Sequence, residues 1–166
     1  MTEATGDSAR RSATIADLGR KVRDAITALV PREGRVALLD FPQYGNVGDS
    51  AIWLGQLAAV RATGALVAYA SSAPGFDARE MRARMRPANG VVLLSGGGNF
   101  GDLWPVHGEL RRKVLSELRE YRVVQLPQSI HFEDDRNRAS TRALLHGHPS
   151  FTLLVRDEPS RREAES

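Results

Sequence analysis

Hydrophobic and polar positions along the chain follow two different periods in turn, and this predicts a fold that mixes helices and strands. From Ser12, apolar residues recur at three- and four-residue spacing, which is one face of a helix. They are Ile15, Leu18, Val22, Ile26 and Leu29. Pro31 and Gly34 end this helix. The next apolar run, Val36–Leu39, is too short for a helix and is typical of a buried strand.

The alternation continues to the end of the chain. Further helices are predicted at 50–63, 77–85, 106–121 and 137–145, and further strands at 66–69, 91–94, 123–126 and 153–155. Strands that alternate with helices form parallel βαβ units, so we predict an α/β fold with a parallel sheet flanked by helices. Another helix begins at Asp157–Ser160, shortly before the chain ends; a disordered charged tail is the alternative.

Length and composition indicate a single ordinary domain. The 166 residues suffice for one core, which we assign to residues 12–166, and the polar residues 1–11 are expected to be disordered. The 23 basic residues are spread among 20 acidic ones, which argues against a nucleic-acid binder. No apolar run approaches the length of a transmembrane helix, and the N-terminus lacks the apolar core of a secretory signal. We therefore expect a cytoplasmic protein.

Cysteines are absent, which excludes disulfides and thiolate metal sites. His146-Gly147-His148 has no third ligand nearby, so no metal and no cofactor are predicted.

The loop after the first strand, Asp40–Ser50, is the first candidate for binding, because ligands of open α/β sheets bind beyond the carboxyl ends of the strands. Gly45 and Gly48 allow close approach to the backbone, and the loop leads into a helix N-terminus that favours an anion. Asp49 can cap that helix, orient a sugar hydroxyl or transfer a proton. No Gly-Lys-Ser/Thr follows, so this is not a P-loop.

A second glycine-rich loop, 95–104, follows the 91–94 strand. Its glycines formally match G-x-G-x-x-G, but the next strand ends without the acidic residue that a dinucleotide site expects. Three consecutive glycines are entropically costly, so we expect a ligand or another backbone to approach them closely. Asp102 and Trp104 can contact such a ligand, although core packing is the alternative for Trp104.

Two later strands also end in polar residues. Gln128 and Ser129 suit hydroxyls or phosphate oxygens. His131 is either an acid/base group or a structural histidine beside Phe132. Arg156 can pair with a phosphate or carboxylate, or with its neighbour Asp157.

Taken in order, four segments resemble the polysaccharide pyruvyl transferase family over about residues 35–166. They are D-x-P-x-Y-G-N-x-G-D-S at Asp40–Ser50, L-S-G-G-G-N-F-G-D-L-W at Leu94–Trp104, Q-L-P-Q-S-I-H-F at Gln125–Phe132 and V-R-D-E-x-S at Val155–Ser160.

The resemblance implies two Rossmann-like halves that face each other across a cleft, as in GT-B glycosyltransferases. This chain would be the N-terminal half, with the C-terminal half absent and a second chain as one possible source of it. The donor would be phosphoenolpyruvate and the acceptor a sugar of a polysaccharide or its precursor. The alternatives are a glycosyltransferase that uses a nucleotide sugar and a non-catalytic partner module that binds a sugar or anion.

The residues that this reading selects fall into two groups. The candidates for proton transfer are Asp49, Asp102 and His131. The candidates for substrate binding are Gly45, Asn46, Gly48, Gly96, Gly97, Gly98, Asn99, Trp104, Gln128, Ser129 and Arg156. Helix N-termini after Gly48 and near Gly98, together with Arg156, would hold the two anionic groups of the donor.

Overall fold

The computed structural model describes the backbone of residues 2–165 and the side chains of residues 13–165. Its helices are α1 (Thr2–Leu29), α2 (Val47–Ala62), α3 (Ala78–Arg84), α4 (Pro105–Glu117), α5 (Asp135–Gly147) and α6 (Glu158–Glu165), with a 3₁₀ turn at Pro87–Asn89. Its strands are β1 (Arg35–Leu39), β2 (Leu66–Ser71), β3 (Gly90–Leu94), β4 (Gly97–Gly101), β5 (Arg122–His131) and β6 (Phe151–Val155).

All six strands are parallel and form one sheet. β1 lies between β2 and β3, and β5 follows β3. Gln128 of β5 pairs with Val155 of β6 and with Gly97 of β4, so these two strands lie on opposite sides of β5. β3 and β4 therefore occupy one strand position in succession, interrupted at Ser95-Gly96.

Apolar side chains of the central strands point alternately to two faces, and helices cover both. Leu38 and Leu93 pack with α1 and α2 on one face. Leu39 and Leu94 pack with α3 and α4 on the other. All four leucines are at most 2% exposed. This two-sided burial explains why the strands appear in the sequence as continuous apolar runs.

The predicted α/β class and parallel sheet are confirmed, as are the predicted helices and strands to within a few residues at most ends. The side chain of Asp77 caps the N-terminus of α3 by accepting from the N–H groups of Arg79 and Glu80. The prediction of 95–104 as an uninterrupted loop was wrong, because β4 lies within it. Pairing with β4 and β6 also lengthens β5 to His131, beyond the apolar run that marked it.

The first helix differs from its apolar pattern. Ile26 is buried, but Ile15 and Leu18 are 70% and 56% exposed, so only the second half of the predicted face packs on the sheet. The helical backbone begins at Thr2 rather than near Ser12. Side chains before Ala13 lie outside the described part of the chain, and the disorder expected for residues 1–11 stays a prediction. Within that described part, no helix is long and apolar enough to cross a membrane.

Candidate functional site

The site lies where the strand order changes direction. The chain passes from β1 to β2 on one side, while β3 lies on the other side of β1, so the loops after β1 and β3 separate. Ligands of open α/β sheets bind at such a point. A cavity of about 560 Å³ opens here. Its lining residues are Tyr44, Asn46, Asp49, Ile52, Gly98, Asn99, Trp104, Val106, His107 and Arg156.

Asp40 and His107 form a buried pair at this cavity. Asp40 is 8% exposed and His107 7%. His107 Nδ1 lies 2.8 Å from both carboxylate oxygens of Asp40. The backbone of Asp40 has φ of 72°, a left-handed conformation that is uncommon for residues other than glycine. The turn at the end of β1 therefore directs this carboxylate into the interior, towards α4.

A network of amide side chains, of which Gln125 and Gln128 are buried, holds the loop after β3. Gln128 Nε2 donates to Asn99 Oδ1 at 2.7 Å and to the Ser95 carbonyl at 3.0 Å, and its Oε1 accepts from the Asn99 N–H at 3.2 Å. Asn99 Nδ2 in turn donates to Asp40 Oδ2 at 3.3 Å. Gln125 Nε2 also donates to the Ser95 carbonyl, at 2.9 Å. Gln128 is therefore a support for the site, since it is fully buried and does not line the cavity.

A buried arginine lies beneath this network. Arg111 is 4% exposed, donates from Nε to Gln125 Oε1 at 3.1 Å and lies over the Phe100 ring at 4.1 Å. Burial lowers the pKa of Arg111 to about 10, although the negative charge of Asp40 opposes this change. Arg111 stays charged at neutral pH, so the buried charges of Arg111 and Asp40 partly compensate each other.

Tyr44 and Asp49 form the outer side of the cavity. The Tyr44 hydroxyl donates to Asp49 Oδ2 at 3.1 Å. Burial, followed by the hydrogen bond with Asp49, raises the pKa of Tyr44 to about 12, so the phenol stays a donor at neutral pH. Asp49 does not cap α2, because Asn46 does: its Oδ1 accepts from the N–H groups of Gly48 and Asp49. These two N–H groups are thus not free for an anion.

The glycines of the second loop are required for different reasons. A Cβ on Gly96 would lie 2.5 Å from the Pro127 carbonyl oxygen, and one on Gly101 would lie 1.6 Å from the His131 carbonyl oxygen. Close approach of another backbone explains these two. Gly98 is exposed, and a Cβ there would lie 3.5 Å from Arg156 Nη2, which is an ordinary contact distance. Gly98 therefore gives the cavity an open backbone surface under a guanidinium.

Arg156 is fixed at the rim by its neighbours on β5. Its Nε donates to Ser129 Oγ at 2.7 Å, and its backbone N–H donates to the Gln128 carbonyl at 3.1 Å. Ser129 Oγ also donates to Asp157. Hydrogen bonds from Ser129 and Ser160 lower the pKa of Asp157 to about 2. Because Nε is engaged by Ser129, the Nη groups remain directed over the loop.

α4 begins at the cavity. Trp104 stands at its N-cap position without a side-chain cap, and Pro105 is the first helical residue. The predicted helix N-terminus near Gly98 is thus wrong in position: Gly98 is in β4, and the helix that reaches the cavity starts at Pro105. Trp104 is 58% exposed, so core packing, the alternative weighed for it, does not apply.

Two predicted proton-transfer residues lie outside the cavity. The Asp102 carboxylate accepts from the N–H groups of Glu133 and Asp134 and from Asn137 Nδ2, which ties β4 to the start of α5. These bonds lower the pKa of Asp102. His131 is exposed at the end of β5. Gly45 is exposed, Gly97 has φ of 146°, and neither lines the cavity.

The model of the polysaccharide pyruvyl transferase family matches residues 46–166. The chain belongs to this family. It is 30% identical to a putative pyruvyl transferase, EpsO, of Bacillus subtilis over 83% of this chain and 42% of that protein. It is 32% identical to Pyruvyl transferase 1 of Schizosaccharomyces pombe over 76% of this chain and 32% of that protein. The matched part of the chain thus covers less than half the length of each of these curated relatives.

Two site residues of this family member were not selected from the sequence. In the sequence, Asp40 is only the first residue of a motif in a loop, and His107 falls in the predicted helix 106–121 without a role. A signal was available for His107. The buried positions of α4 are 107, 110, 111, 114 and 115, so His107 and Arg111 lie on an otherwise apolar face. Polar residues on such a face need buried partners, and here these are Asp40 and Gln125.

The described residues include no group of three or more histidine, aspartate or glutamate side chains that could hold a metal ion.

Proposed function

We propose that this chain takes part in transfer of a pyruvyl group from phosphoenolpyruvate to a sugar of a polysaccharide or of its precursor, in the cytoplasm. The observation that carries the proposal is the arrangement of Arg156 and the start of α4 around the open backbone of Gly98. Family membership supplies the reaction class, and this arrangement supplies a place for its anionic donor.

Phosphoenolpyruvate carries a phosphate and a carboxylate, so its site needs two groups that hold anions. The Nη groups of Arg156 can bind one of them through paired hydrogen bonds. The N-terminus of α4 can bind the other, because helix N-termini present N–H donors and a positive dipole end. α4 has no side-chain cap, in contrast to α2, where Asn46 occupies two donors. Pro105 has no N–H and the His107 N–H donates to the Trp104 carbonyl at 3.2 Å, so among the described residues the first-turn donor open to the anion is the Val106 N–H.

The acceptor sugar is proposed to lie against Trp104 and Tyr44. Both rings are about half exposed, at 58% and 49%, and both line the cavity. Aromatic faces stack on the apolar face of a sugar ring, while Asp49 offers carboxylate oxygens and Asn46 its amide NH₂ to the sugar hydroxyls. We therefore propose that the sugar lies on the outer side of the cavity and the donor on the inner side.

The chemistry balances without a cofactor. A sugar oxygen bonds to C2 of phosphoenolpyruvate as the methylene carbon takes up a proton. The bond from C2 to the phosphate oxygen then breaks, and a second hydroxyl oxygen bonds to C2 to close a cyclic ketal. The two hydroxyl protons lost are matched by one gained at carbon and one by phosphate. This sequence requires a proton acceptor near the attacking hydroxyl.

The proposal includes a second domain or chain that faces this one across the cavity. The relatives that this chain matches are about twice its length or longer by the fractions covered, which supports a GT-B-like arrangement in which a further domain or a second chain faces this one. Exposed apolar side chains that line the cavity, or belong to the same loops as its lining residues, suit such a covering. They are Phe41, Tyr44, Val47, Leu103, Trp104 and Val106.

Thermal unfolding tests the donor site. Phosphoenolpyruvate at millimolar concentration should raise the Tm of the chain, because a ligand that binds only the folded state stabilises it by mass action. Arg156→Ala should abolish the rise, whereas Arg79→Ala, an exposed arginine on α3, should keep it. Stabilisation by a nucleotide diphosphate but not by phosphoenolpyruvate would favour the glycosyltransferase alternative. A full rise in Arg156→Ala would remove Arg156 from the site.

A further inference from the structure

The buried pair of Asp40 and His107 determines which nitrogen of the imidazole carries a proton. An ionised carboxylate only accepts hydrogen bonds, so Nδ1, at 2.8 Å from both Asp40 oxygens, must donate. In the neutral ring the lone pair then resides on Nε2. The pair thus prepares His107 as a base on one defined nitrogen.

That nitrogen is available to a molecule in the cavity. His107 lines the cavity with Tyr44 and Asp49. Among the described residues, none forms a hydrogen bond with His107 Nε2, and every bond of this side chain is to Asp40. A histidine with a purely structural role commonly uses both ring nitrogens when it is this deeply buried.

The carboxylate is held in place at a conformational cost. Asp40 is one of two non-glycine residues with positive φ in the described backbone. Asn99 Nδ2 fixes its Oδ2, and Asn99 is fixed in turn by Gln128. Unfavourable backbone conformations that the surroundings maintain are concentrated at functional sites.

We propose that His107 is the proton acceptor for the attacking sugar hydroxyl and that Asp40 positions it; this rests on the proposed function. The sugar O–H bond breaks and its proton moves to Nε2 as the oxygen bonds to C2 of phosphoenolpyruvate. The methylene carbon takes a proton from water. When the C2–O bond to phosphate breaks, the proton on Nε2 moves to the departing phosphate oxygen, and the second hydroxyl releases its proton to water.

Charged and polar groups face His107 from several elements. Asp40 contacts it from the end of β1, and Arg111 lies one turn along α4. The Tyr44 ring meets it edge-on at 6.3 Å, and Asp49 is hydrogen-bonded to Tyr44. Arg156 is on the opposite side of the same cavity.

Nitrogen NMR of the imidazoles tests the arrangement directly in the whole chain. His107 should have its proton on Nδ1, and phosphoenolpyruvate should shift its Nε2 resonance and leave that of His146, an exposed control, unchanged. Asp40→Asn should move the proton to Nε2, because Asn99 would still donate to the amide oxygen and the amide NH₂ would face Nδ1. A proton on Nε2 in the unaltered chain would overturn the proposal.

Turnover and stability separate this inference from the proposed function. Acceptor-dependent release of phosphate should fall on the order of 10²–10⁴-fold in His107→Gln, while phosphoenolpyruvate still raises Tm. His146→Gln should retain activity. Full turnover in His107→Gln, or an unchanged Nε2 resonance when phosphoenolpyruvate raises Tm, would exclude His107 as proton acceptor. Failure of phosphoenolpyruvate to raise Tm counts instead against the proposed function.

Discussion

At the scale of single residues, the glycines of the second loop divide by what a side chain would meet. Gly101 is required by the backbone, since its φ is 143° and a Cβ would overlap the His131 carbonyl. Gly98 has no such constraint and faces the cavity. A glycine motif that appears uniform in sequence therefore serves sheet pairing at one end and leaves the backbone exposed to the cavity in its middle.

Gly101→Ala should destabilise the chain by more than about 2 kcal/mol, because β4 would have to separate from β5. Gly55→Ala provides a control of opposite sign. Gly55 is exposed within α2 and a Cβ there meets nothing within 4 Å, so alanine should stabilise by about 0.5–1 kcal/mol. Urea unfolding measures both. Equal stability of Gly101→Ala and the unaltered chain would contradict the pairing of β4 with β5.

At the scale of elements, α6 is held to β5 by the carboxylate of Asp157. Asp157 Oδ1 accepts from the Ser160 N–H at 2.8 Å in the first turn of α6, and its other oxygen accepts from Ser129 on β5. Ser160 Oγ in turn accepts from the Ile130 N–H at 2.9 Å. The same Ser129 holds Arg156, so the start of α6 and the rim of the cavity share one hydroxyl.

Asp157→Ala should lower the Tm at pH 7, with a difference from the unaltered chain that depends on pH. The folded-state pKa of Asp157, about 2, is below its ordinary value of 3.8, so its stabilising contribution is complete above about pH 4. That contribution is lost as pH falls towards 2, and the two melting temperatures should converge there. Glu109→Ala, at an exposed position of α4, is the control. A difference that stays constant from pH 7 to pH 2 would contradict this role.

The elements were largely predictable from sequence and the site only in part. Strands such as 36–39 and 91–94 were recognisable because burial on both faces makes them continuously apolar. β4 was not, since Gly97–Gly101 has almost no side chains and exists only because β5 pairs with it. Asp40 and His107 are 67 positions apart, and no local pattern reveals that the fold brings them together. Arg156 was foreseeable because it directly follows a strand at the ligand-binding edge.

At the scale of the whole molecule, the two faces of the sheet are covered and its carboxyl edge is not covered by the described residues. The chain contains two tryptophans, and they report on these two regions separately. Trp53, on the buried face of α2, is 7% exposed, whereas Trp104 is 58% exposed at the carboxyl edge of the sheet. Their fluorescence can therefore distinguish the core from the site in one experiment.

In Trp53→Phe, the remaining emission of Trp104 should be strongly quenched by acrylamide, and in Trp104→Phe the emission of Trp53 should resist quenching. Free hexoses in the presence of phosphoenolpyruvate should protect Trp104, because the proposed acceptor stacks on it. Trp53 should show no protection and serves as the internal control. An accessible Trp104 that no hexose protects, in a chain that phosphoenolpyruvate stabilises, would place the acceptor elsewhere.

Gln128 links the two walls of the cavity through a single residue. Its side chain is hydrogen-bonded to Asn99 and its carbonyl to the Arg156 backbone. The spacing between the two sides of the cavity, which Asn99 and Arg156 form, therefore depends on this one residue and not on two separate loops. Thermal displacement of the sheet then moves both walls together and leaves the gap between them nearly constant. The distance between Asn99 and Arg156 can thus stay constant while the surrounding loops fluctuate.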